Sequence, residues 1–170
     1  MYSVGWDFTK DVPDVDESLL DGESPDDYVV RLAKTKAEAV ASRHPGQMVL
    51  GADTTVVINN HIIGKPTDIE DARQMLNLLS GNWHEVLTGV AIAGNGSTSA
   101  AMQRTRVKFV EMTTDEINFL VEKGDPLDKA GAYAVQAQAA LFIEGIDGDY
   151  WNVVGLPIRL VYELIAKRES

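Results

Sequence analysis

Apolar positions along this chain fall into two rhythms, and the rhythm assigns most of the elements. Val29, Leu32, Ala33, Ala37 and Val40 recur at helical spacing, with Lys36 the one charge on that face. Ahead of them stands Ser24-Pro25-Asp26-Asp27, a capping hydroxyl, a proline at the first helical position and acids facing the helix dipole. Pro45-Gly46 stops the run, so a helix is expected over 25–43. Ile69, Ala72, Met75, Leu76 and Leu79 mark a second helix over 68–79, capped by Thr67. Thr113 caps a third over 114–122, closed by Gly124, and Gly155-Leu156-Pro157 opens a last one with Leu160, Val161, Leu164 and Ile165 inside.

The other rhythm is that of strands. Trp6 and Phe8 alternate as in a short strand. Residues 47–58 read as two strand segments joined at Gly51-Ala52-Asp53, and Asn59-Asn60 is a tight-turn signal before Ile62-Ile63. Long strands over 83–93 and 99–111 flank the loop Gly94-Asn95-Gly96-Ser97 as an antiparallel pair. Residues 125–133 read as a loop, and 140–143 and 150–154 as strands around Asp147-Gly148-Asp149. Hairpins interleaved with helices predict a single α/β domain over residues 1–170, with a mixed β-sheet flanked by helices.

Composition narrows the function. A net charge of −11 argues against a nucleic-acid surface, which needs a basic stripe, yet leaves room for a small anion held by a cation and a few placed lysines. The chain has no cysteine, which removes disulfides and thiolate metal sites. The start, Met1 to Asp7, lacks the basic and apolar regions of a signal peptide, and no apolar run is long enough for a bilayer, so a cytoplasmic protein without membrane contact is expected. His44, His61 and His84 stand apart and read as structural, as do Trp6, Trp83 and Trp151. The acids and lysines at element ends are different. Asp16-Glu17 precedes a loop, Asp53 interrupts two strand segments, and Lys36 and Lys65 are the cations best placed to meet them. Water attacking a phosphoanhydride needs a base or metal to activate it and cations to take up developing charge, and this set offers both.

Ordered motifs sharpen that reading. Asp16-Glu17-Ser18, the run from Tyr28 to Ala37, Gly51-Ala52-Asp53-Thr54, Gly64-Lys65-Pro66, the run from Ser80 to Gly89, Asp128-Lys129-Ala130-Gly131-Ala132-Tyr133 and Val153-Val154-Gly155-Leu156-Pro157 resemble, in order and spacing, the Maf family of nucleoside triphosphate pyrophosphatases. The resemblance implies an elongated mixed sheet similar to that of the inosine triphosphate pyrophosphatases. It implies cleavage of a nucleoside triphosphate to the monophosphate and pyrophosphate with a divalent metal, Mg or Mn. Asp53 would be the proton acceptor for the attacking water, Glu17 the second essential acid, both of them metal contacts, and Lys36 and Lys65 would hold phosphate oxygens. Thr54 and Gln136 would set specificity toward dTTP and UTP, and an amide at Gln136 suits the O4 and N3–H edge of a pyrimidine. Modified pyrimidine nucleotides would also be accepted, and a homodimer is the common family assembly.

The resemblance also has a gap. The family opens with a Ser-x-Ser-Pro-Arg-Arg turn that feeds arginines to the triphosphate, and no such run occurs in these 170 residues. The chain therefore reads as N-terminally truncated relative to the family, its recorded start lying downstream of the true one or its turnover weakened. The alternative to an enzyme is a catalytically impaired nucleotide-binding or division-regulating protein on the same scaffold.

Overall fold

The computed structural model describes residues 4–169; Met1, Tyr2 and Ser3, which enter the reading of the N-terminus, lie outside it. The strands that frame the fold are β1 (Val49–Ile58), β2 (His61–Ile63), β3 (Trp83–Gly94), β4 (Ser97–Phe109) and β5 (Ile143–Asp147). The α-helices are α1 (Pro25–Ala41), α2 (Ile69–Leu79), α3 (Thr114–Lys123), α4 (Tyr150–Val154) and α5 (Ile158–Glu169). The sheet order is β2-β1-β3-β4-β5.

The sheet is antiparallel rather than mixed. β2 pairs with β1 in the register Val57↔Ile62, across an Asn59-Asn60 turn whose residues both have positive φ. β4 pairs antiparallel with β5, with an irregularity between Lys108 and Phe109. β3 and β4 form a hairpin over Asn95-Gly96. For β1 and β3, Gln47 lies beside Gly94 while Thr54 meets Thr88, so residue numbers rise in one strand as they fall in the other. The α2 segment between them hides that reversal from a reading of spacing.

The helix signals translate closely. Ser24 accepts a hydrogen bond from the Asp27 amide and Pro25 opens α1. Thr113 and Glu116 form a reciprocal capping box on α3. Four expectations change. Asp68, not Thr67, caps α2; Thr67 instead donates to the Asp71 carboxylate through its amide and hydroxyl. Residues 150–154 form the short helix α4 rather than a strand, because Asp149 caps the Trp151 amide and Gly155 closes the turn at φ 110°. Residues 138–141 form a 3-10 turn before β5, and residues 6–20 hold neither helix nor strand, so the alternation of Trp6 and Phe8 does not make a strand.

Contacts divide the chain into two compact units, and β1, β3 and β4 each run from one into the other. The first comprises residues 1–53, 89–102 and 158–170. Its core is narrow: Ala33 and Ala37 of α1 pack on Ala91 and Ala93 of β3, with Val49 and Ala100 at the margin. Glycine makes the approach closer still. A Cβ at Gly51 would stand 2.4 Å from the Ala33 carbonyl oxygen, and one at Gly89 would stand 2.0 Å from that of Val29. The backbone of α1 thus rests directly on the strands.

The second unit, residues 54–88 and 103–157, holds the larger core. Val56 and Ile58, Leu76 and Leu79, Val107 and Phe109, and Ile117 and Leu120 meet there from β1, α2, β4 and α3. His84 stacks on Phe109 and sets its Nε2 2.8 Å from the Tyr133 hydroxyl. Asn152, fully buried, donates from its amide to the Val86 carbonyl at 2.9 Å.

Candidate active site

Strand geometry explains how an acid reaches a helical lysine. Residues two apart on a strand face the same side, so Asp53 points where Gly51 points, toward α1. Gly51 lies against Ala33 and Ala37, and Lys36 is the neighbour of Ala37 on that helix. The Lys36 ammonium donates to Asp53 Oδ1 at 2.7 Å and lies 2.6 Å from Glu17 Oε1. Asp53 is only 10% exposed at its side chain and Lys36 20%, while Glu17 is half open to solvent. The structure therefore brings three of the expected site residues together, with Glu17 and Asp53 meeting at the Lys36 ammonium.

Burial by itself would lower the pKa of Lys36, but its hydrogen bonds to Asp53 and Glu17 outweigh that, and the ammonium is held above the ordinary lysine range. The Tyr28 phenol, two helical turns before Lys36 on the same face, is pushed up by burial and then by the Asp53 and Glu17 charges. It is a neutral donor at working pH.

The other expected residues fall in the second unit. Thr54 faces away from Asp53, as the strand period requires. Its Oγ1 is 2.9 Å from the Thr88 hydroxyl and 3.3 Å from the Gly155 carbonyl oxygen, so the fold uses this hydroxyl internally. Lys65 is exposed in the connection between β2 and α2, where the neighbouring Gly64 carbonyl accepts from the Gly131 amide at 3.0 Å. Gln136 is exposed in a turn. Sequence reasoning passed over Tyr28 and Arg31 as individual site residues. For Tyr28 the available signal was the helix face it shares with Lys36.

A divalent metal can be tested against this donor set. Among the described residues there is no group of three or more His, Cys, Asp or Glu side chains placed for a metal. Mg and Mn, however, are commonly held by one or two carboxylates, with waters and substrate phosphates completing the shell. Glu17 and Asp53 converge on one ammonium, so their oxygens already share one small volume, and they fit that mode.

The comparison with known proteins decides the family. The family model described as Maf-like protein matches residues 1–168. The chain belongs to the Maf-like family. It is 46% identical over 164 residues to a dTTP/UTP pyrophosphatase of Symbiobacterium thermophilum, an alignment covering 96% of this chain and 84% of that protein. It is 48% identical over 168 residues to one of Geotalea uraniireducens, covering 97% and 86%. A third relative of the same description, from Myxococcus xanthus, is 48% identical over 151 residues, covering 89% and 76%. The motifs that carried the resemblance thus sit in a Maf-like chain, and Glu17, Lys36 and Asp53 meet at one point of it.

Proposed function

We propose that this protein hydrolyses nucleoside triphosphates, dTTP and UTP foremost and modified pyrimidine nucleotides with them, to the monophosphate and pyrophosphate. The observation that carries the reading is the Lys36 ammonium between the Asp53 and Glu17 carboxylates, in a chain nearly half identical to dTTP/UTP pyrophosphatases. Water adds at the α-phosphorus, the bond from that phosphorus to the bridging oxygen breaks, and pyrophosphate leaves. Asp53 accepts the proton of the attacking water, since a carboxylate has acceptor sites for more than one partner. Lys36 holds phosphate oxygens and takes up charge as it develops, and Lys65 is assigned the same task. Glu17 and Asp53 would hold a Mg or Mn ion, which when bound neutralises phosphate charge and acidifies water. Thr54 and Gln136 are assigned to substrate choice, Thr54 through the packing its hydroxyl fixes and Gln136 through its amide.

The nucleotide pool places this activity in the cytoplasm, without nucleic-acid or membrane partners. No helix among the described residues is long and apolar enough to cross a membrane. A homodimer is the assembly we assign, readable as molar mass in solution.

The test is pyrophosphate release from a nucleotide panel in Mg or Mn. Asp53→Asn is expected to lower turnover by about 100-fold or more, the scale of a lost general base. Full turnover in that variant would overturn the assignment. A wild-type protein that binds dTTP yet releases no pyrophosphate would instead leave the impaired, nucleotide-binding reading in place.

A further inference from the structure

Glu17 is carried by a segment with no helix or strand to hold it, residues 6–20. Its position against Lys36 must be fixed by side chains, and two residues of α1 do this. The Tyr28 hydroxyl donates to the Glu17 carbonyl oxygen at 3.0 Å, and Arg31 Nη2 donates to the Ser18 carbonyl oxygen at 2.9 Å. Consecutive peptides at Glu17 are thereby tied to one helix.

Arg31 is itself locked. Its Nε and Nη2 donate to the two oxygens of Glu23 at 2.5 and 2.7 Å, a bidentate pair in which the Glu23 side chain is 8% exposed. Its guanidinium carbon lies 5.6 Å from the centre of the Tyr28 ring. Glu23 also accepts from the Leu20 amide at 3.2 Å, and Asp16 accepts from the Ser18 amide and hydroxyl at 2.9 and 2.6 Å, closing the turn on either side.

We propose that Tyr28 and Arg31 are positioning residues for the reaction: they clamp the segment carrying Glu17 so that its carboxylate meets Lys36 and Asp53. The inference rests on the pyrophosphatase reading, with Glu17 as a site acid. A lysine at position 31 would keep the charge but lose the fork that grips Glu23 and Ser18 together.

The experiment measures kcat and KM for pyrophosphate release in Tyr28→Phe, Arg31→Met and Arg31→Lys, each in the native and the Glu17→Gln background. Amide hydrogen exchange over residues 16–23 and thermal unfolding are followed in parallel. Expected are a fall of about ten- to a hundred-fold in kcat, the scale of a misplaced catalytic group, no rescue by lysine, faster exchange over 16–23, and no further loss once Glu17 is glutamine. An equal fall in both backgrounds would mean a general effect on the fold and overturn the proposal. So would rescue by Arg31→Lys, or unchanged exchange in Arg31→Met. Tyr28→Phe removes one hydroxyl, which keeps the test alive if the arginine variants do not fold. Full turnover in Glu17→Gln beside a dead Asp53→Asn would sink the inference but leave the pyrophosphatase reading standing. If the native protein releases no pyrophosphate, that reading fails, while the exchange data still judge the clamp.

Discussion

Lys36 shows how much one side chain decides. It is the cation that lets two carboxylates share a small volume, and they hold its proton in return. In Lys36→Met the Glu17 and Asp53 carboxylates would face each other with no ammonium between them, and nothing would take up charge on the phosphate oxygens. The expected outcome is a fall in kcat for pyrophosphate release of about 100-fold or more, with the fold retained by circular dichroism. Native turnover in that variant would show that the lysine does not serve the reaction. Gln136 has a different kind of test because it is exposed. Gln136→Ala should change the ratio of kcat/KM for dTTP over dATP while leaving thermal stability within about 0.5 kcal/mol, as surface changes usually do. An unchanged ratio would remove it from the specificity assignment. Spacing marks neither residue: Lys36 reads as a charge on the margin of an apolar helix face, and Gln136 as a solvent-facing strand residue.

At the scale of elements, the contact that matters is α1 resting on β1 and β3 through glycine and alanine. The sequence made the helix plain, with its Ser24 cap, its Pro25 and its stripe of small and branched residues. It did not reveal that Gly51 and Gly89 are where the helix backbone touches down, since a glycine in a strand has several readings. Gly51→Ala would put a methyl 2.4 Å from the Ala33 carbonyl oxygen, and Gly89→Ala would put one 2.0 Å from that of Val29. Each should cost about 3 kcal/mol, the upper range of overpacking, and Gly51→Ala should also reduce pyrophosphate release by moving Lys36 away from Asp53. Gly145→Ala is the control, because its methyl would find only the Trp83 ring at 3.9 Å, an ordinary contact. Chemical denaturation of the three variants measures this, and equal stability for all of them would refute the close-packing account.

Across the whole molecule, the buried His84 adds a pH dependence separable from that of the carboxylates. Burial lowers its pKa to about 4. The unfolded chain then takes up a proton on this ring below about 6.5 while the folded chain does not, so its contribution is complete above that pH and is lost as pH falls toward 4. Between pH 6.5 and 5 the loss from this group is about 2 kcal/mol by that arithmetic. Carboxylates held low in the fold, Asp11, Asp16, Glu23, Glu116 and Asp128, act in the same direction, but in a more acidic window near and below their ordinary values. Unfolding free energies at pH 6.5 and 5 should therefore fall for the native protein and change much less for His84→Gln. Equal slopes would mean that the ring does not stay neutral in the core. Helices α1, α2, α3 and α5, the long hairpin, the α/β class and the family are all legible in the sequence, because capping, periodicity and turn chemistry are local and the motifs stand in linear order. Tertiary structure alone decided the direction of β1 against β3, the helical state of residues 150–154, and the meeting of Glu17, Lys36 and Asp53. Those depend on which backbones can approach one another and on side-chain contacts between distant residues, and a linear pattern does not encode either.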